Sequence, residues 1–230
     1  PSDRSVFLDL TDRMEPVWSH WEELGARFDA IYSGFLGSVE QIDLLRTFVI
    51  RFRGAHTLVL VDPVMGDHGR PYATYTSEMC ARMGSLAAEA DLITPNLTEA
   101  ALLLGEPYEA APTTQAAAAQ WLRRLSMDGK RSVVITGLCL TPGQVGAGSL
   151  DRTTGAISFA QAPEVPGHFP GTGDLFSSVL LGELLRGRSL ETACARAVSF
   201  VQCCAAYTLQ LDTPLLDGVE FEPLLRQLME

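Results

Sequence analysis

The sequence has no apolar run that approaches the ~20 residues needed to cross a membrane. It also has no stretch that resembles a secretory signal, which combines a basic start, an apolar middle and a small-residue cleavage site. The 230 residues are 47% hydrophobic and 20% charged, as is typical of globular proteins. Because no internal repeat or linker-like segment interrupts the chain, we expect a single α/β domain over residues 1–230 of a soluble, cytoplasmic protein.

Basic residues are scarce, with 17 lysines and arginines against 28 acidic residues and a formal net charge of −11. A surface for nucleic acid needs clustered basic side chains, so this balance argues against nucleic acid as a partner. An anionic substrate must therefore be bound locally, by backbone amides or by a metal ion. The conventional lysine-containing phosphate loop, G-x-x-x-x-G-K-[ST], does not occur.

The five cysteines and four histidines lack the regular spacing of a metal site. No two cysteines are separated as in a zinc-binding pair or in a redox-active C-x-x-C motif. We therefore expect buried free thiols in a reducing compartment rather than disulfides, and no metal bound by histidine.

Strand and helix patterns alternate along most of the chain. Short apolar, β-branched runs predict strands buried on both faces at 28–32, 57–61, 92–94 and 132–136. Periodicity and capping residues predict helices at 10–24, 38–54, 77–90, 96–104, 114–125, 173–186, 189–209 and 222–229. Pro16 is tolerated in the first of these only if the first turn lies just before it. The alternation predicts a mainly parallel sheet flanked by helices, and 146–150 with 156–160 predict a later hairpin.

Unusual polar residues follow three of the predicted strands. They are Asp62, Asp67, Thr94, Asn96, Glu99, Thr136 and Gly137. Ligands of open parallel sheets collect beyond the carboxyl ends of the strands, where these residues would meet. Each also has a plain structural interpretation, as a turn starter, a helix cap or a strand exit. Together they supply carboxylates for a hydrated Mg²⁺ ion and donors for phosphates.

The segment Gly171-Thr172-Gly173-Asp174 precedes a strongly apolar helix pattern. Its glycines allow a tight turn, and the first helical N–H groups have no partner within the helix and point toward an anion. A carboxylate there would repel a phosphate, so its more useful role is to take a proton from an attacking alcohol. The alternative is an ordinary helix start, capped by Thr172 or Asp174. The segment favours phosphoryl transfer to a hydroxyl group.

In order and spacing, four segments resemble the motifs of pyridoxal kinases, in the ribokinase-like superfamily. They are 62–67 (DPVMGD), 93–96 (ITPN) with Glu99, 133–136 (VVIT) and 171–176 (GTGDLF). The resemblance extends over nearly the whole chain and implies a single-domain, three-layer ribokinase-like sandwich. It also implies an ATP-dependent enzyme that phosphorylates the 5′-hydroxymethyl group of pyridoxal, pyridoxine or pyridoxamine. The implied cofactors are Mg²⁺ and a monovalent cation, K⁺ or Na⁺, and the implied assembly is a homodimer.

The same resemblance implies roles for individual residues. Asp174 would be the base that activates the substrate hydroxyl, beside an anion hole formed by the amides of Gly171, Thr172 and Gly173. Residues that would serve ATP and its phosphates are Asp67, Tyr72, Thr94, Asn96, Thr136, Gly137 and Phe169.

Three further residues receive roles from the resemblance. Asp62 and Glu99 would serve the Mg²⁺ ion. Phe35, where some relatives have a tyrosine near the vitamin ring, would contact the substrate. Phenylalanine can stack on a ring but cannot donate a hydrogen bond, and its plain alternative is core packing.

Family members begin with an earlier strand and a following segment that supply much of the vitamin-ring pocket, and we expect this chain to be N-terminally incomplete. Two alternative functions stay open. A hydroxymethylpyrimidine or hydroxymethylpyrimidine-phosphate kinase shares the fold, but such relatives commonly place cysteine where this chain has Leu175. A catalytically silent, nucleotide-binding homologue is the second alternative, because a missing front portion would disable catalysis.

Overall fold

A computed structural model of the chain describes residues 8–211, 214 and 218–229. The strands are β1 Ala30–Ser33, β2 Leu58–Val61, β3 Gly66–Asp67, β4 Arg70–Pro71, β5 Leu92–Ile93, β6 Ser132–Leu138, β7 Gln144–Leu150 and β8 Ile157–Pro163. The helices are α1 Thr11–Glu23, α2 Val39–Phe52, α3 Ser77–Ala88, α4 Leu97–Leu104, α5 Gln115–Leu125, α6 Thr172–Leu185 and α7 Leu190–Gln210. None of the described helices is both long and apolar enough to span a membrane.

Six strands form one sheet in the order β1-β2-β5-β6-β7-β8. The first four are parallel to one another, and β7 and β8 extend the sheet as an antiparallel pair. The mainly parallel sheet and the later hairpin are therefore confirmed. A separate hairpin, β3–β4, has only two residues in each strand and is too short for a periodic signal.

The sheet lies between two helical layers. Val59 and Val61 of β2 join the core beneath α1 to α5, whereas Leu60 between them packs toward α6 and α7. The same alternation occurs in β6, where Val133 and Val134 belong to opposite cores. Because both faces of the sheet are covered, its strands are apolar at successive positions, which explains the uninterrupted runs in the sequence. The predicted three-layer arrangement is confirmed.

Local side-chain chemistry fixes most helix starts. Ser38, Thr76, Thr114 and Ser189 each accept a hydrogen bond from the backbone N–H three residues later. Asn96 and Glu99 form a reciprocal capping box at the start of α4, which ends at Gly105 with a left-handed φ of 66°. These residues direct the chain from each strand end into the following helix.

Two helices show features that bear on their prediction. Pro16 lies inside α1 after its first turn, as the sequence pattern required. Pro16 has no N–H to donate to the carbonyl four residues earlier. Because Pro16 is exposed, water can hydrogen-bond to that carbonyl instead. Residues Glu222–Met229 form a 3₁₀ helix rather than an α-helix. Arg186 and Arg196 donate to carbonyls of this segment and attach it to α6 and α7.

A buried carboxylate links the strand starts on the side of the sheet away from the polar strand ends. Asp91, just before β5, is 6% exposed. Its Oδ2 accepts from the N–H of Val59 at 2.9 Å, and its Oδ1 accepts from Arg53 at 2.6 Å and Arg152 at 2.8 Å. Because charged and backbone donors satisfy both oxygens, the buried charge is compensated.

Replacing Asp91 with alanine should lower the free energy of unfolding by about 2–4 kcal/mol, because three donors lose their acceptor. Chemical denaturation measures the change. The matched control is Glu106→Ala, which breaks the partly exposed pair with Arg124 (2.8 Å) and should change stability by less than about 1 kcal/mol. Equal losses in the two variants would contradict a special role for Asp91.

Candidate active site

The carboxyl ends of β2, β5 and β6 open into one cavity of about 570 Å³, which we call the strand-end cavity. Asp62 follows β2, Thr94 follows β5 and Thr136 lies within β6 near its end. The start of α6 and the segment before it form the opposite wall. The predicted site residues that line the cavity are Asp62, Asp67, Tyr72, Thr94, Asn96, Glu99, Thr136, Gly137, Phe169, Gly171, Thr172, Gly173 and Asp174. The fold thus brings together every predicted site residue except Phe35.

Phe35 lies on the loop after β1 and does not line the strand-end cavity. Its ring is 48% exposed and packs edge-on against Tyr75, with ring centroids 6.2 Å apart. An exposed aromatic side chain is available to stack on a ligand. Its role as a substrate contact stays a prediction.

The glycine turn gives α6 an uncapped start. Gly171 has a left-handed φ of 85°, which lets the chain turn directly into the helix. Among the described residues no side chain caps the helix, and the Thr172 hydroxyl instead donates to the carbonyl of Phe169 at 3.1 Å. The alternative in which Thr172 or Asp174 serves as the cap is therefore excluded. The first N–H groups of α6 stay available to an anion in the cavity.

Asp174 lies in the first turn of α6 with its carboxylate exposed to the cavity. The hydroxyl of Tyr32, at the end of β1, donates to Asp174 Oδ1 at 3.3 Å. Burial and then the negative charges of Asp62 and Asp174 raise the pKa of Tyr32, so the phenol stays protonated and able to donate. A base in this position is both accessible and oriented.

Asp62 is buried beneath Asp174, at the floor of the cavity. Ser177, one turn after Asp174 on α6, donates to Asp62 Oδ2 at 3.4 Å and is hydrogen-bonded to Thr94 at 3.0 Å. Burial, followed by repulsion from Asp174, raises the pKa of Asp62 to about 7. The two hydroxyl groups only partly offset this effect.

Glu99 is the second buried acid of the cavity, at 3% exposure. Its Oε2 accepts from the N–H of Asn96 at 2.8 Å, and its Oε1 accepts from the N–H of Met65 at 3.1 Å. The Asn96 side chain donates to the carbonyl of Gly66 at 2.9 Å, so the start of α4 also holds the loop after β2. Burial and the charge of Asp62 raise the pKa of Glu99 to about 8.

The buried acids of the described chain fall into two kinds. Asp91 has arginine partners, and Glu183 lies near Arg186, Arg188 and Arg196. Asp62 and Glu99 have no salt bridge to a basic side chain among the described residues, and both line the same cavity. A divalent cation would supply the missing positive charge, and Mg²⁺ prefers carboxylates combined with water. The residues therefore fit this ion. Asp62 would hold it, and Glu99 would act through water, because a backbone donor already contacts each of its oxygens.

The far wall of the strand-end cavity is apolar. Val145 and Ala162 come from the β7–β8 hairpin, Val198 and Val201 come from α7, and the buried Phe169 comes from the segment before α6. A cavity with an apolar wall at one end and carboxylates and free amides at the other suits a planar base that carries a polyphosphate.

Several polar residues of the site were not predicted from the sequence. Tyr32 and Ser177 lie in apolar strand and helix patterns, and their partners, Asp174 and Asp62 respectively, are distant in sequence. His68 and His168 also line the cavity, from segments on opposite rims. The spacing of Ser177 from Asp174 on one helix face was the only local signal available.

Residues 23–215 match the family described as phosphomethylpyrimidine kinase. The chain is 37% identical over 191 residues to the pyridoxine/pyridoxal/pyridoxamine kinase of Bordetella avium, which covers 80% of this chain. A crystal structure of a candidate phosphomethylpyrimidine kinase from Bacteroides thetaiotaomicron with pyridoxal is 38% identical, with a TM-score of 0.92 over 98% of this chain and 79% of that one. The pyridoxal kinase of Lactobacillus plantarum is 32% identical, with a TM-score of 0.89 over 100% and 81%.

These likenesses confirm the predicted fold class. The chain spans 62% of the length of the Bordetella kinase.

The pKa of Asp62 gives a pH test of the buried acids. Between pH of about 4 and about 7 the folded state keeps a proton that the unfolded state has released, so stability falls as pH rises. Asp62→Asn should remove this contribution to the fall and, without divalent metal at pH 8, raise the free energy of unfolding by about 1–3 kcal/mol. Denaturation at pH 5 and pH 8 measures both effects.

The control for this experiment is Asp43→Asn on α2, whose partly exposed carboxylate lies 3.6 Å from Arg82 at the surface. This variant should keep the wild-type dependence of stability on pH. If the stability of Asp62→Asn depended on pH as the wild type does, the protonation of Asp62 would not be the cause of that dependence. Added Mg²⁺ should stabilise the wild type more than Asp62→Asn, because the variant lacks the charge that the ion compensates.

Proposed function

The chain belongs to the phosphomethylpyrimidine kinase family and shares the ribokinase-like fold of pyridoxal kinases, and from that premise we propose that it phosphorylates a B6 vitamer. The reaction transfers the γ-phosphoryl group of ATP to the hydroxymethyl group of pyridoxal, pyridoxine or pyridoxamine. The observation that carries the proposal is the position of Asp174, an accessible carboxylate inside an uncapped helix start. It lies in the same cavity as two buried acids that have no basic partner in the part of the chain that the structure describes.

Asp174 takes the proton of the substrate hydroxyl as its oxygen attacks the γ-phosphorus. One O–P bond forms, the bond between the γ-phosphorus and the bridging oxygen breaks, and ADP leaves. Tyr32 orients the carboxylate through its hydrogen bond to Oδ1. Because the base would lie next to the incoming oxygen, the proton passes directly from the substrate hydroxyl to the Asp174 carboxylate and not through solvent water.

The amides at the start of α6 stabilise the charge on the transferred group. The N–H groups of Thr172 and Gly173 belong to the uncapped helix start and face the cavity. Asp62, with Glu99 through water, would hold Mg²⁺, which neutralises phosphate charge when bound. Asp67, Thr94, Asn96 and Thr136 would contact the phosphates, and Tyr72, Gly137 and Phe169 would flank the nucleotide.

The choice of acceptor is supported by two observations. The Bacteroides relative, at 38% identity, was crystallised with pyridoxal although it is named for a pyrimidine substrate. This chain also has Leu175 after the glycine turn, where pyrimidine kinases commonly have cysteine. The family description keeps hydroxymethylpyrimidine, free or phosphorylated, as the second candidate acceptor. Mg²⁺, a monovalent cation, the homodimer and the cytoplasmic location are proposals from the resemblance.

The proposal is tested by incubating the purified chain with ATP, Mg²⁺ and each candidate acceptor in turn, with ADP and the phosphorylated product measured. We expect ADP release that depends on a B6 vitamer. Faster release with hydroxymethylpyrimidine would favour the second candidate. A folded sample that releases no ADP and binds no ATP by calorimetry would contradict both and favour a catalytically silent protein.

Replacing Asp174 with asparagine should reduce kcat by about 10²-fold or more, because the amide cannot accept the proton. The Kd for ATP should stay near the wild-type value, since the α6 amides and the buried acids are unchanged. Steady-state kinetics and calorimetry measure the two quantities separately. The control is Asp128→Asn, in the turn before β6, where asparagine tolerates the left-handed φ of 59°. Retained turnover in Asp174→Asn would remove this residue from the mechanism.

A further inference from the structure

The fold brings two histidines and an aspartate together at the mouth of the strand-end cavity. We propose that Asp67, His68 and His168 form a site for a transition-metal ion of the Zn²⁺ class, distinct from the Mg²⁺ site of Asp62 and Glu99. From the spacing of the histidines alone we expected no histidine-bound metal. Spacing along the sequence carries no information on these two imidazoles, because they come from segments that only the fold makes adjacent.

The ligand geometry is nearly assembled. Each of the three side chains offers one ligand atom, and these atoms all lie within 4.8 Å of one another. His68 Nε2 is 3.4 Å from Asp67 Oδ2, and the rings of His68 and His168 have centroids 6.0 Å apart. Tetrahedral zinc at bond lengths of ~2.0–2.2 Å brings its ligands to somewhat shorter separations. Small side-chain rotations are sufficient to close the site.

The hairpin backbone holds His68 in place. His68 adopts a left-handed φ of 49°, which is uncommon for a residue other than glycine. Asp67 Oδ1 accepts from the N–H of His68 at 2.8 Å, which leaves Oδ2 free to face the imidazole. The N–H of Gly69 donates to Thr98 on α4 at 2.9 Å. The β3–β4 turn is thus anchored, and it presents both ligands on the side of the cavity.

The donor set separates this site from the Mg²⁺ site. Two imidazoles and one carboxylate suit zinc and its neighbours in the first transition series, whereas Mg²⁺ prefers oxygen ligands. Three protein ligands leave a fourth position open for water or for another oxygen ligand. The imidazoles of His68 and His168 are exposed, so an ion can reach them from solvent.

The ion would join the two rims of the cavity. His68 and Asp67 belong to the β3–β4 hairpin, whereas His168 lies three residues before Gly171 and the start of α6. A bound ion would therefore cross-link the hairpin to the segment that leads into the glycine turn. Zinc binding is measured without nucleotide and without turnover, so failure of this site and failure of the proposed function are distinguishable.

The experiment is calorimetric titration of the nucleotide-free protein with ZnCl₂ in excess Mg²⁺, which occupies the oxygen-only site. Cys139 is exposed and its thiol would also bind zinc, so all proteins carry Cys139→Ser. We expect one Zn²⁺ per chain, and His68→Asn and His168→Asn should each weaken its binding about tenfold or more. The matched control, His56→Asn, removes an exposed histidine of the α2–β2 loop and should bind zinc as the parent does.

A spectroscopic readout identifies the ligands. Electron paramagnetic resonance of the Cu²⁺-loaded parent should show coupling to two imidazole nitrogens, and each histidine variant should lose one. Circular dichroism checks that all variants are folded. Unchanged zinc affinity in both histidine variants, or a copper spectrum without imidazole coupling, would overturn the proposed site.

Discussion

The site depends on the burial of two carboxylates that have no basic partner among the described residues. Asp62 follows β2 and Glu99 lies in the first turn of α4. Burial and the charge of Asp174 raise the pKa of Asp62 to about 7, and burial and the charge of Asp62 raise the pKa of Glu99 to about 8. Elsewhere in the described chain, buried acids are surrounded by guanidinium groups, as at Asp91 and Glu183. An unpartnered buried acid destabilises the metal-free fold. Where such an acid lines a cavity, its position indicates a site at which a bound cation would balance the negative charge.

The starts of helices α4 and α6 supply the rest of the site. The capping box of Asn96 and Glu99 both starts α4 and holds the loop after β2, so one interaction stabilises the fold and places an acid. The uncapped start of α6 does the opposite, because it leaves its amides free for an anion. Ser177 connects the two sides of the cavity by contacting Asp62 and Thr94.

Much of the fold and of the candidate site could be predicted, because it depends on patterns among residues that are close together in the sequence. Buried strands, helix caps and the order of polar residues at strand ends are readable from neighbouring residues, and they predicted eleven of the candidate residues that line the cavity. Tyr72 and Phe169, which also line it, were assigned by resemblance. Contacts between distant segments could not be predicted. The hydrogen bond from Tyr32 to Asp174 and the approach of His68 to His168 each depend on how β1, the β3–β4 hairpin and α6 pack together. Phe35 was assigned by resemblance alone, and it lies outside the cavity lining.

The charge of the cavity also bears on the form in which the proposed nucleotide would bind. No lysine or arginine lines the described cavity, and the chain as a whole carries a net charge of −11. Free ATP would therefore meet Asp62, Asp67 and Asp174 with only the α6 amides as compensation, and like charges at close range disfavour the complex. A nucleotide that arrives with its divalent cation reverses this balance, because the ion compensates both the phosphates and the buried acids. The same carboxylates that repel the free nucleotide thus favour its metal complex.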